Sequence, residues 1–150
     1  MEAAPAESPV ELVVIDAGNW RTACELRVFA EQADYVAPVS YYLALCAYGE
    51  DWRPLAIMAG EDMVGFAMWA IDESDNSFWI GGFLIHADHQ RRGYGRGAVE
   101  QLIDMAAERG CPEVALSYHP SNPARKLYAG LGFVETGEME DDEVVGRRRV

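Results

Sequence analysis

Eight residues, Gln90-Arg91-Arg92-Gly93-Tyr94-Gly95-Arg96-Gly97, constrain this chain more than any other stretch. An apolar run, Ser77 to His86, precedes them, and Val99, Leu102, Ile103 and Ala106 recur behind them at helical spacing. The pattern predicts a strand, a tight turn, and a helix from Gly93 to Arg109 that Gly110 stops and Pro112 keeps from resuming. Three glycines in five residues let the backbone approach a ligand with no Cβ in the way. The N–H groups at the head of such a helix lack intrahelical partners and carry the positive end of its dipole. Arg91, Arg92 and Arg96 add charge around them, so the turn suits a phosphate or diphosphate. The plainer alternative is a glycine turn with solvated arginines. A Walker A loop would need GxxxxGK followed by Ser or Thr, which is absent. A dinucleotide fold would need a third glycine at the right offset within a parallel unit.

The remaining elements follow from pattern and punctuation. Val10 to Ile15 is a β-branched strand, and Asn19 can cap a helix that starts at Trp20 and faces inward with Ala23, Cys24 and Val28. A second helix runs from Val39 to Tyr48 behind Pro38. A meander follows: Pro54–Ala59, a turn at Gly60-Glu61-Asp62, Met63–Asp72, a polar turn, then Ser77–His86. After the long helix come a strand at Val114–Tyr118 and a short helix capped by Ser121 or Asn122 that ends near Gly130. Strands at Phe133–Glu138 and Val144–Arg149 close the sheet. This order predicts one α/β (α+β) domain over residues 10–150, with a mixed sheet of about seven strands flanked by about four helices. Residues 1–9 read as a disordered lead without the basic start or apolar stretch of a signal peptide.

Charge narrows the partners. The net charge is −13, and residues 1–80 hold 14 acids against Arg21, Arg27 and Arg53 alone. A surface this acidic repels nucleic acid and attracts cations. No apolar run approaches the roughly 20 residues of a membrane span. Cys24, Cys46 and Cys111 are odd in number and far apart, which points to a reducing, cytoplasmic setting and to neither disulfides nor zinc. His86, His89 and His119 have no ligand spacing, so no metal is expected.

With these residues in view, Gln-x-x-Gly-x-Gly between a strand and an amphipathic helix resembles motif A of the GNAT acetyltransferases. Asn122-Pro-Ala-Arg-Lys-Leu127-Tyr128-Ala-Gly-Leu-Gly132-Phe133 resembles their element after the fifth strand. Asn19-Trp20, Glu31-Gln32-x-Asp34-Tyr35-Val36-Ala37-Pro38, Leu116-Ser117-Tyr118-His119-Pro120 and Gly137-Glu138-x-x-Asp-Asp-Glu143 are similar to bacterial spermine/spermidine acetyltransferases. The chain departs from that narrower pattern at Val39, Tyr42, Gly82 and His86, in the half expected to meet the acceptor.

The resemblance implies acetyl-CoA as co-substrate and direct acetyl transfer to a small cationic amine, polyamine-like, in a ternary complex of a homodimeric enzyme. It implies that the backbone of Phe83, Leu84 and Ile85 binds the pantetheine arm. The turn itself (Gln90, Arg91, Arg92, Gly93, Tyr94, Gly95, Arg96) then takes the diphosphate, with Asn122 and Lys126 beside it and Arg125 also within reach. Gly81-Gly82 marks either a bulge or a close approach to a helix. The resemblance gives Tyr128 the proton for the departing sulfur; the bland alternative is a core aromatic beside Phe133. Glu31 and His86 compete as base with a water relay. Glu31, Asp34, Tyr35 and Trp69 are the expected acceptor contacts, since acids and aromatics suit an ammonium. Acetylation of a protein lysine or N-terminus, and a non-catalytic CoA-binding module, remain open.

Overall fold

A computed structural model of the chain describes residues 9–49 and 51–150; residues 1–8 of the lead expected at 1–9 lie outside them. The strands are β1 (Glu11–Val14), β2 (Arg53–Ala59), β3 (Asp62–Asp72), β4 (Ser77–Ile85), β5 (Glu113–Tyr118), β6 (Val134–Glu140) and β7 (Glu143–Arg149). The helices are α1 (Trp20–Ala23), α2 (Val39–Tyr48), α3 (Tyr94–Glu108) and α4 (Arg125–Gly130). The strands form one sheet in the order β1-β2-β3-β4-β5-β7-β6. All neighbours are antiparallel except β4 and β5, which α3 connects as a parallel crossover. The expected architecture is the observed one.

Both sheet faces are covered, so β2 and β3 read as nearly continuous apolar runs rather than alternating ones. On one face, Ala98, Val99, Leu102, Ile103 and Ala106 of α3 pack with α4 residues against Ile57, Val64, Phe78 and Val114. On the other face, Ala23, Leu26 and Val39 cover Phe66, Met68 and Leu84. Gly110, at φ +75°, ends α3, and the Cys111 N–H reaches back to the Ala106 carbonyl. None of the described helices is long and apolar enough to cross a membrane.

The first helix departs from expectation. It lasts four residues, and Val28 is not in it. Longer-range partners capture the backbone instead: the Arg27 N–H donates to His86 Nδ1 at 2.8 Å, and the Arg27 carbonyl accepts from the Ala87 N–H at 2.7 Å. Asn19 does not cap by its side chain. Its Oδ1 accepts the Asp16 N–H and its Nδ2 donates to the Val14 carbonyl, closing the loop between β1 and α1.

Trp69 corrects a second expectation, since it belongs to the core. It is 5 % exposed and its ring stacks on Phe78 with centroids 5.1 Å apart. The guanidiniums of Arg109 and Arg53 lie 4.4 and 5.1 Å from its ring centroid. The Trp69→Ala variant should therefore lose about 3–5 kcal/mol in chemical denaturation, the usual range for an emptied aromatic core site.

Candidate functional site

The site begins where the sheet comes apart. β4 and β5 pair at Phe78↔Val114 and Trp79↔Ala115 and then part, so β4 continues against β3 alone and β5 against β7. β4 also carries an extra residue here: Phe66 faces Leu84 and Met68 faces Gly81, leaving two residues opposite Ala67. Gly82 sits in this bulge at φ +59°, a conformation that costs glycine little. A Cβ on Gly82 would stand 3.1 Å from the Tyr42 ring of α2, so bulge and close helix approach coincide. The His86 N–H still donates to the Val64 carbonyl on the β3 side. In an extended chain the preceding amide, that of Ile85, points the other way, at the open edge.

Tyr128 stands in the gap. Its ring centroid lies 5.1 Å from that of Tyr118 on β5, 6.5 Å from Phe83 on β4 and 6.1 Å from Phe133. Burial raises its phenol above the ordinary value, with smaller contributions from Tyr118 and Glu143, so the hydroxyl keeps its proton at neutral pH. Two hollows meet there, one of about 500 Å³ and one of about 250 Å³. They share Tyr35, Val36, Phe83, Asn122 and Tyr128 and form one passage through the split.

The larger hollow runs from the split to the glycine turn. Gly93 opens α3 at φ +83° and no side chain caps the helix. The first intrahelical bond within the turn is Gly97 N–H to the Gly93 carbonyl, so the amides before it face outward. Gly95 forms part of the floor; a Cβ there would lie 3.5–3.7 Å from Phe83, Ile85 and Leu127. Arg91 and Arg96 line the hollow. The uncapped amides, bare floor and two guanidiniums fit a diphosphate followed by a slender arm along the open edge of β4.

Most of the residues singled out from the sequence converge here. Phe83, Leu84, Ile85, Gln90, Arg91, Gly93, Tyr94, Gly95, Arg96 and Asn122 line the larger hollow, and Tyr35 and Tyr128 line both. Gln90 also braces the site. Its Nε2 donates to the Ile85 carbonyl and to Gln32 Oε1, while its Oε1 accepts from Gln32 Nε2. That amide pair ties the glycine turn to the segment before α2. Asn122 Oδ1 accepts the Ala124 N–H and shapes the entry to α4.

Other expected residues fall elsewhere. Arg92 and Lys126 are exposed and do not line either hollow. Arg125 is engaged by Glu135 through Nε at 2.7 Å and a terminal nitrogen at 2.8 Å. Glu31 and Asp34 are exposed and line neither hollow. His86 lies outside both: its Nδ1 accepts the Arg27 N–H and its Nε2 is 3.4 Å from Asp88. Among the described residues no group of three His, Cys, Asp or Glu is arranged to hold a metal.

The smaller hollow contains residues that sequence reasoning did not assign to the acceptor. Trp52, Trp79 and Tyr118 contribute aromatic wall beside Tyr42, which the sequence already puts in the acceptor half, and Glu140 and Glu143 bring carboxylates from the β6–β7 hairpin. The available signal was the acid-rich turn from Glu138 to Glu143, which the hairpin folds back beside β5. Over this hollow the Tyr35 hydroxyl meets the Ser121 carbonyl and Oγ, each at 3.2 Å, closing a roof across the passage.

Comparison with known proteins shows the family and the fold. Residues 19–133 match the model of the Acetyltransferase (GNAT) family. The chain is 25 % identical over 139 residues to the spermine/spermidine N(1)-acetyltransferase of Bacillus subtilis, covering 87 % of this chain and 91 % of that protein. It is 32 % identical over 106 residues to the [ribosomal protein bS18]-alanine N-acetyltransferase of Salmonella typhimurium, covering 70 % of each. Its fold matches the crystal structure of spermidine N-acetyltransferase from Vibrio cholerae in complex with CoA and spermine, with a TM-score of 0.73, 18 % identity and 94 % of both chains covered.

Because Gly95 keeps the floor bare, Gly95→Val should weaken CoA binding by roughly tenfold or more in calorimetry, as expected when a ligand loses about 1.4 kcal/mol. Its circular dichroism should stay native. Lys126→Ala, outside the hollow, should bind CoA like the parent.

Proposed function

The chain belongs to the GNAT acetyltransferase family and is an acetyl-CoA-dependent N-acetyltransferase, and from that premise we propose that its acceptor is the primary amine of a small, polyamine-like cation. The observation that carries this reading is the smaller hollow. Carboxylates at Glu140 and Glu143 attract an ammonium, and the rings of Trp52 and Tyr42 suit both cationic charge and methylenes, while Arg147 already lies over the Trp79 ring. The hollow opens onto the larger one at Tyr128, where transfer would occur. The likeness to the Bacillus subtilis polyamine enzyme supports the same class.

The likeness to the alanine N-acetyltransferase supports a second reading, a protein N-terminus as acceptor. The bridge from Tyr35 to Ser121 weighs against it, because a roofed passage admits a slender chain more readily than a folded partner. The exposed outer edge of β6, with Val134 and Met139 uncovered, is compatible with a homodimer.

Acetyl-CoA supplies the acetyl group and leaves as the thiol. The chain's own part has three components. The uncapped turn at Gly93–Arg96 anchors the diphosphate. The outward amide of Ile85 can donate to the carbonyl oxygen as charge develops on it. The Tyr128 hydroxyl, held protonated by its burial, supplies a proton to the departing sulfur. In net terms an ammonium and a thioester become an amide, a thiol and one released proton.

Thiol release with acetyl-CoA should be seen with linear diamines and polyamines and be much slower with an alanine-initiated peptide; the reverse order would move the acceptor to protein N-termini. Tyr128→Phe should lower kcat by roughly tenfold to a hundredfold, at the lower edge of general acid effects. CoA affinity should be unchanged.

A further inference from the structure

A primary ammonium like that of lysine titrates near ~10.4, so at pH 7 roughly one molecule in 2,500 is the neutral nucleophile. Something in the passage must take its proton, and the positions of Glu31 and His86 remove them from the passage. Resting on the amine reading above, we propose that Glu143 receives the acceptor's ammonium and is the base that deprotonates it.

Four observations carry the assignment. Glu143 lines the smaller hollow, which meets the larger one at Tyr128. Its Oε1 accepts the Ser117 hydroxyl at 2.8 Å, and Ser117 lies on the part of β5 that has left β4. The carboxylate is therefore fixed at the open end of the split. Among the described residues no Lys, Arg or His forms an ion pair with Glu143, so a half-buried anion faces the hollow without a protein cation. Its field reaches the place of reaction, since it helps raise the phenols of Tyr128 and of Tyr42.

The groups around it favour a bound cation. Tyr118 flanks it from β5, Tyr128 from α4, Tyr42 from α2, Tyr35 from the roof and Glu140 from β6; none of these bears a positive charge. Glu140 adds a second negative charge on the same hairpin. Farther out, the Tyr118 hydroxyl donates to Glu135, which Arg125 holds. In the transfer, an N–H bond of the ammonium breaks with its electron pair left on nitrogen, and an O–H bond forms on a Glu143 oxygen. After attack, the adduct's second N–H proton restores the Tyr128 hydroxyl that has protonated the sulfur, and solvent takes the Glu143 proton after the amide leaves.

The test compares wild type, Glu143→Gln and Ser117→Ala with a linear diamine, measuring thiol release from pH 6 to 10, CoA affinity and thermal midpoint. Wild-type thiol release is the arm that judges the amine reading; its absence with every amine would overturn that reading and this one together. Given turnover, Glu143→Gln should retain CoA affinity and lose roughly a hundredfold in kcat at pH 7, the low end of general-base effects. Its kcat should then climb with pH as free amine accumulates, narrowing the gap to wild type. A kcat within threefold of wild type with the same pH profile overturns the proposal. A raised KM with an unchanged kcat profile also overturns it, leaving Glu143 a mere ammonium contact. Should Glu143→Gln fail to fold, Ser117→Ala decides: it leaves the carboxylate but frees it, and should cut kcat several-fold with CoA affinity intact. An unchanged kcat there overturns the assignment.

Discussion

The parting of β4 from β5 is the constraint on which this molecule depends. Two paired residues hold the strands together at Phe78 and Trp79, and beyond them the sheet gives up its ladder. Unpaired backbone inside a fold is costly unless something else meets it. Here the rings of Tyr128, Tyr118 and Phe83 occupy the gap, and the bulge at Gly82 turns β4 away from β5. The resulting open edge is a row of amides and carbonyls that a pantetheine arm can use as a partner strand.

Everything else is arranged around the two ends of that split. Toward α3, uncapped amides and two arginines form a positive end. Toward the β6–β7 hairpin, two glutamates form a negative end. Tyr128 stands between the positive and the negative end. The excess of acid along the chain is thus not a uniform coat; a late hairpin folds one pair of glutamates back against β5, where they line the smaller hollow. The acidic turn between β3 and β4 has a different use, in which Asp75 holds Ser77 and Arg147.

The two sides are also mechanically joined. Gln32 and Gln90 exchange amide hydrogen bonds, so the segment before α2 is tied to the glycine turn. Tyr35 reaches across to Ser121 from the same segment. Val28 leaves its expected helix for this reason: the backbone from Arg27 onward is committed to His86 and Ala87, at the base of the glycine turn.

Features that depend on local chemistry were legible in the order of residues. Glycines at 93 and 95 before an amphipathic run specify a strand–turn–helix with exposed amides, whatever lies around it. Apolar and β-branched runs, turn residues and helix stops located seven strands and most helix bounds. The short first helix, the buried Trp69, the committed His86 and the carboxylates of the smaller hollow emerged only with the folded chain. Each rests on contacts between residues far apart in the chain: Arg27 with His86, Trp69 with Arg109, Ser117 with Glu143. An aromatic or an acid carries the same local signal whether it faces a core, a solvent or a substrate. Which of these it meets is fixed by the strand order β5-β7-β6, which sets the last hairpin beside the split.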